Sequence, residues 1–191
     1  MSQLRSVTGR KAFSLKGTLA WRTFRRTRTS VPAWLKEAGV ETSDDVLLGL
    51  GGRDHWRRHI QETTRLINET KPEFVRIGRL WPYESNGPFF GLESPLLHEI
   101  RAGNFIPQTP EGTVLELRLL IEQLHNNSTF VTCDHGNNYV QVSGRIDEAK
   151  QTMLAKIDAF LALPESDREA HYQAIKTLTI EHLDGNDLTA K

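Results

Sequence analysis

The sequence feature that most constrains the fold is an apolar run that ends in glycines, at residues 45–54. A short apolar run bounded by glycines predicts a strand buried on both faces, as in a parallel sheet. Glycine lets the backbone turn sharply and lets a ligand approach it closely. The amide groups of the helix predicted to follow favour an anion or a polar ligand edge. The run therefore predicts a small-molecule site at the carboxyl end of a parallel strand.

Strand-like and helix-like segments alternate along the rest of the chain. Three strands are predicted, at residues 46–50, 73–80 and 129–133. Helices are predicted at about 54–68, after the caps Ser94 and Thr109, and twice near the C-terminus, where Ser166 and Glu169 form a capping box. Such alternation implies right-handed crossovers and a parallel sheet. Because three strands cannot close a barrel of about eight, the predicted fold class is α/β, a partial (β/α) barrel of TIM type with C-terminal helices.

The charge distribution divides the chain of 191 residues. Residues 1–36 carry nine basic side chains and no acidic one, whereas the remainder carries 15 basic and 24 acidic ones. We predict a basic, poorly ordered segment (1–30), a partial barrel (31–163) and a C-terminal helix with a tail (164–191). The basic segment is compatible with a nucleic-acid arm, a transit peptide or a solvated tail. Because few aromatic residues there could stack on bases, we do not predict a nucleic-acid partner.

Composition excludes several classes of protein. No stretch approaches the roughly 20 apolar residues needed to cross a bilayer, and no apolar signal core follows the N-terminus. Cys133 is the single cysteine, so the chain cannot by itself form an intrachain disulfide or a multi-cysteine metal or cluster site. We expect a cytoplasmic protein without a membrane partner.

Four short motifs follow one another between about residues 36 and 163. They are LGLGG at 48–52, ETTRLIN at 62–68, LRLLIE at 117–122 and DHGNNY at 134–139. In this order they resemble the C-terminal half of radical S-adenosylmethionine (radical SAM) enzymes. The resemblance covers roughly two thirds of the chain.

This resemblance implies a cofactor-binding role for Gly49, Leu50, Gly51 and Gly52, which would contact the adenine and ribose of S-adenosylmethionine. The family also holds a 4Fe–4S cluster through a Cys-x3-Cys-x2-Cys motif near the start of its barrel. This sequence lacks that motif, and we expect it to lack the first strands of the barrel as well. Taken from the residues alone, a tight strand-to-helix turn that binds nothing is favoured, and only the resemblance makes a binding role equally plausible.

The polar turn after the third predicted strand carries the candidate catalytic residues Asp134, His135 and Asn138. Turns at this end of barrel strands form the catalytic rim, and a histidine beside a carboxylate can act as an acid or a base near neutral pH. The alternative is a turn in which the Asp and Asn side chains satisfy local backbone groups and the histidine is exposed.

Two further features favour structural interpretations. His55 and His59 have the i, i+4 spacing of paired metal ligands, but Arg57 and Arg58 lie between them and no third ligand is in view. A solvated helix face is therefore favoured, and no metal site is predicted. Cys133, at the end of an apolar strand, is expected to be a small core residue.

These observations lead to two hypotheses about function. The first is a truncated or split radical SAM protein, inactive alone, whose intact family cleaves S-adenosylmethionine with a 4Fe–4S cluster. The second is a non-catalytic module in which the same rim binds a nucleotide or a partner. The expected partners are a separate N-terminal chain that carries the cluster, or a second copy of this chain, because an incomplete parallel sheet leaves an open strand edge.

Overall fold

The computed structural model describes residues 37–82, 94–125 and 129–183. The basic segment predicted at residues 1–30 and the tail after residue 183 lie outside the described residues. Four strands and five helices occur in the described part: β1 (Ser43–Leu48), α1 (Gly52–Thr70), β2 (Phe74–Arg79), α2 (Pro95–Arg101), α3 (Pro110–Gln123), β3 (Phe130–Cys133), β4 (Val142–Arg145), α4 (Ile146–Leu161) and α5 (Glu165–Leu183).

The strands form one open sheet in the order β1-β2-β3-β4. β1 pairs with β2, and β2 with β3, in parallel, whereas β4 runs antiparallel to β3. One helix lies between β1 and β2 and two lie between β2 and β3, which provides the crossover connections that parallel strands require. The α/β class and the parallel arrangement of the three predicted strands are therefore confirmed, in a sheet that is open.

Strand β4 has no counterpart among the predicted strands. Its four residues include Ser143 and Gly144, and glycine in particular is depleted in strands. Gly144 has a φ of +148°, and a Cβ at this position would lie 2.5 Å from the Cβ of Ala149 in α4. Glycine is therefore required by close packing, and the strand forms because β3 offers it a partner.

The helices bury one face of the sheet. Side chains alternate between the two faces along each strand, and those on the helix side are buried: Val46, Leu48, Val75, Ile77, Val131 and Cys133. They belong to one core with apolar residues of α1, α3 and α4, among which Ile60, Leu120 and Ile157 are completely buried. The expectation that Cys133 is a core residue is confirmed.

The opposite face of the sheet is uncovered in the described part of the chain. Leu47 of β1 and Phe74 of β2 keep 43% and 40% of their surface exposed, and Asp45 is exposed next to the buried Val46. The prediction that the first strand is buried on both faces is therefore wrong. The core helices pack on one side of the sheet only. Although residues 46–48 are all apolar, their side chains alternate between the buried face and the exposed face.

Local signals explain the N-terminus of α3 and the C-terminus of α1. Thr109 caps α3, since its side-chain oxygen accepts a hydrogen bond from the Gly112 N–H at 2.9 Å. α1 ends with Lys71 in the left-handed conformation (φ 48°). The predicted capping box is wrong, because α5 begins at Glu165 and Ser166 lies within its first turn, with its hydroxyl 3.2 Å from the Asp167 carboxylate.

Helix α5 joins the same core through aromatic contacts. Tyr172 is 5% exposed and packs edge-on against Tyr139, with ring centroids 4.9 Å apart. The predicted domain division at residue 164 stays a prediction, although Tyr172 packs with the residues before it. None of the described helices is both long enough and apolar enough to cross a membrane.

Candidate functional site

The carboxyl ends of β1, β2 and β3 meet at one edge of the sheet, which we call the carboxyl edge. Leu48 at the end of β1 pairs with Arg79 at the end of β2, and the Leu80 N–H donates to the Leu48 carbonyl at 2.8 Å. Arg79 in turn donates from Nε to the carbonyl of Asn137 at 2.9 Å. Three segments are thus brought together: the glycine turn (residues 49–52), Arg79 and the polar turn (residues 134–139).

The glycine turn uses its glycines for backbone conformation and for close packing. Gly49 and Gly52 have φ values of +84° and +57°, and the Gly52 N–H donates to the Gly49 carbonyl at 3.0 Å. Gly51 has a helical φ of −81°. A Cβ at Gly51 would lie 2.9 Å from the Cβ of His59, so this glycine accommodates the next turn of α1.

Several backbone N–H groups that were expected to face a ligand instead donate hydrogen bonds to oxygen atoms of the protein. The Arg53 N–H, in the first turn of α1, donates to the carbonyl of Ile106 at 3.0 Å. The Gly49 N–H donates to a carboxylate oxygen of Glu116 at 2.7 Å. By contrast, the side chain of Leu50 is 50% exposed at the tip of the turn. The exposed surface of the turn is therefore apolar, and its amide groups contribute mainly to the fold.

Glu116 of α3 is the buried carboxylate behind the glycine turn. It is 0% exposed and accepts hydrogen bonds from the Gly49 N–H and from Nε2 of Gln108, the latter at 2.9 Å. Burial raises the pKa of Glu116 above its ordinary value of 4.5, and the two hydrogen bonds oppose this shift. Glu116 lies 67 positions after Gly49 in the chain, so no sequence pattern connects the two residues.

The polar turn separates the three candidate catalytic residues. Asn138 is buried, and its Nδ2 donates to the carbonyl of Ile77 at 2.8 Å, so the side chain ties the turn to β2. Asp134 and His135 are exposed. The Nδ1 atom of His135 lies 2.8 Å from Oδ1 of Asn137 and 3.2 Å from its N–H. Asp134 and His135 are accessible for chemistry, whereas Asn138 is held inward.

Arg79 was not among the candidate residues, yet it lies at the centre of the carboxyl edge. Its Nη1 donates to the hydroxyl of Tyr139 at 2.7 Å, and its guanidinium carbon lies 4.4 Å from the centroid of the Tyr139 ring. Burial lowers the pKa of Arg79. The signal that could have found it is a cation at the end of a strand whose residues 75 and 77 are apolar and face the core.

The described residues provide no group of ligands for a metal ion. Cys133 is completely buried, its thiol faces the carbonyl of Val140 at 3.6 Å, and burial raises its pKa to about 12. His55 is exposed, whereas Nδ1 of His59 is buried without a hydrogen-bond partner among the described residues, and burial lowers the pKa of His59. The two histidines therefore differ in environment despite their spacing.

Gly52 and Gly39 provide a matched test of the turn. Both have positive φ, but a Cβ at Gly52 would lie 2.6 Å from the carbonyl oxygen of Ile106, whereas one at Gly39 has nothing within 4 Å. We expect Gly39→Ala to cost about 1–2 kcal/mol of unfolding free energy and Gly52→Ala about 3 kcal/mol or more, because a backbone clash is added. Urea denaturation measures both. Equal losses would contradict the close approach of Ile106.

The buried carboxylate of Glu116 should make the stability of the protein depend on pH. Because the folded-state pKa of Glu116 is raised, the folded protein holds this proton more tightly than the unfolded chain, and the associated stability is present below about pH 4.5 and is lost as pH rises. We expect the unfolding free energy of the wild type, relative to Glu116→Gln, to fall as pH rises above about 4.5. Glu122→Gln, exposed on the same helix, controls for the lost charge. A constant or rising difference would contradict the burial.

Comparison of the chain with protein-family models, with curated proteins and with solved structures found no match.

Proposed function

We propose that this chain is the C-terminal part of a radical SAM-type protein and that its carboxyl edge holds the adenosyl end of S-adenosylmethionine. The observation that carries the proposal is the meeting of the glycine turn, Arg79 and the polar turn at the carboxyl ends of parallel strands. Ligands of open α/β sheets bind outside these strand ends. The exposed Leu50 side chain offers an apolar surface of the kind that a nucleobase stacks against.

The one-sided sheet supports the further proposal that the chain is half of a barrel. In a (β/α) barrel the helices form an outer ring and the opposite face of the sheet lines the interior. The uncovered face here carries Asp45, Leu47, Phe74 and Arg76, a mixture of polar and apolar groups that are exposed. A partner that closes the barrel would cover this face.

The edge of β1 is the place where such a partner would add strands. The Phe74 N–H donates to the Thr42 carbonyl and the Leu80 N–H to the Leu48 carbonyl, so backbone groups at even-numbered positions of β1 face β2. By alternation, the groups of Ser43, Asp45 and Leu47 face outward. An antiparallel pair of two β1 strands centred on residue 45 would place two Asp45 side chains opposite each other, which is unfavourable. A separate N-terminal chain is therefore favoured over a second copy.

The residues of this chain do not fit a 4Fe–4S cluster. Cluster ligands are thiolates, and the single thiol, that of Cys133, is buried in the core with its pKa raised to about 12. Any cluster would have to be held by residues outside this sequence. We therefore assign this chain a binding role, with Asp134 and His135 as the side chains available for proton transfer at the rim, and no radical chemistry of its own.

One observation favours the alternative of a non-catalytic partner-binding module. The N–H groups of Gly49, Gly52 and Arg53 are already bonded to protein oxygens. A ligand at the glycine turn would then contact mainly side chains and the outer surface of the backbone. A partner protein that covers Leu50 and the open face of the sheet would use the same surface.

Calorimetry with S-adenosylmethionine tests the proposed function. We expect weak binding, no tighter than about 100 μM, because the cluster that would anchor the methionine part is missing. Leu50→Asp should weaken binding at least about tenfold, since it places a charge where the adenine would lie. Leu163→Asp, at a residue that is also exposed but follows α4, is the control and should bind like the wild type.

Two outcomes would contradict this account. Absence of binding to the wild type at millimolar ligand would remove the adenosyl site and leave the partner-binding module. Equal binding by the wild type and Leu50→Asp would place the ligand elsewhere on the chain.

A further inference from the structure

We infer that Arg79 recognises an anionic oxygen group, a carboxylate or a phosphate, on the small molecule bound at the carboxyl edge. This inference rests on the proposed function for the adenosine part of the ligand, and it assigns the part that extends from it. Arg79 belongs to none of the four motifs that resemble the radical SAM family. The inference comes from the surroundings of its guanidinium.

The guanidinium is held in place by neutral groups. Nε donates to the Asn137 carbonyl at 2.9 Å, Nη1 donates to the Tyr139 hydroxyl at 2.7 Å, and the Tyr139 ring lies 4.4 Å from the guanidinium carbon. Within the described residues, Nη2 makes no hydrogen bond. The side chain is therefore oriented by the polar turn while part of its donor fork stays free.

No carboxylate among the described residues lies within ion-pair distance of Arg79, although the residue is partly buried. Three other arginines in the described part have acidic partners: Arg65 with Glu62 at 3.1 Å, Arg118 with Asp158 at 2.6 Å and Arg168 with Glu111 at 3.0 Å. Buried charges are ordinarily paired, because removing an ion from water is costly. A partly buried cation without a counterion therefore indicates that an anion completes the site.

The position of Arg79 suits a ligand that begins at the glycine turn. Leu48, the residue before the turn, is its register partner across β1 and β2. A guanidinium presents parallel N–H groups that match the oxygens of a carboxylate or a phosphate. A nucleoside seated over Leu50 would need only a short extension along the carboxyl edge to bring such a group to Arg79.

Arg79 also ties the polar turn to β2, since Asn137 Nδ2 donates back to the Arg79 carbonyl at 3.3 Å. A purely structural role would change stability and the binding of every ligand alike. A role in anion recognition would change the preference for charged over neutral ligands. The experiment must therefore measure a preference and not a single affinity.

Calorimetry on two matched ligand pairs measures this preference. One pair is S-adenosylmethionine and its decarboxylated form, and the other is ATP and adenosine. In the wild type we expect the anionic member of at least one pair to bind about tenfold tighter or more, as for a hydrogen bond between charged groups. Arg79→Gln should reduce that ratio to about one. Arg76→Gln, exposed on the same strand but the opposite face, should leave it unchanged.

Each result has a defined meaning. The ligand pair whose affinity ratio falls in Arg79→Gln shows whether the recognised group is a carboxylate or a phosphate. Two results overturn the inference but leave the proposed function intact, provided that adenosine binds. In the first, the wild type binds the anionic and neutral ligands of each pair equally well; in the second, Arg79→Gln leaves the affinity ratio unchanged. No binding of any adenosine compound overturns both. If circular dichroism shows that Arg79→Gln is unfolded, Arg79→Lys decides: it keeps the charge and must keep part of the preference, whereas its complete loss overturns the inference.

Discussion

In the part of the chain that the structure describes, the fold depends on burying one face of a four-stranded sheet. Val46, Val75 and Val131 occupy neighbouring strands and turn inward, where the helices remove them from water. Each buried side chain of this size contributes about 1.5–3 kcal/mol. Asp45 and Arg76 alternate with these residues on the other face. Because the core of the described residues does not include that face, these residues leave the outer face of the sheet and the edge of β1 open to a partner.

The same core contains a buried carboxylate that helps to shape the candidate site. Glu116 lies within the apolar packing of α3 yet accepts the Gly49 N–H. An unpaired buried carboxylate would be costly, so the hydrogen bonds of Gly49 and Gln108 both satisfy it and hold the start of the glycine turn. Arg79 has the converse arrangement: it is a partly buried cation whose partners among the described residues are neutral. The protein itself supplies the hydrogen bonds that stabilise the Glu116 carboxylate, whereas the positive charge of Arg79 is available to an anionic ligand.

The sequence predicts the local part of this arrangement better than the long-range part. Local sequence patterns predict the first three strands, the cap at Thr109 and the core position of Cys133. The two-sided burial of β1 was wrong, because the side on which helices pack is decided by segments far along the chain. Glu116 and Arg79 were missed because their partners, Gly49 and Tyr139, lie 67 and 60 positions away. The resemblance to radical SAM proteins stays a prediction.

We propose that the chain is half of a barrel whose free edge is β1, and hydrogen exchange at β1 tests this proposal most directly. In the full chain alone, we predict fast exchange of the outward N–H groups of Asp45 and Leu47 and slow exchange of the inward ones of Val46 and Leu48, which bond to β2. Addition of the completing partner should slow the outward pair. Equal protection of both sets in the chain alone would show that the edge is already paired and would contradict the account.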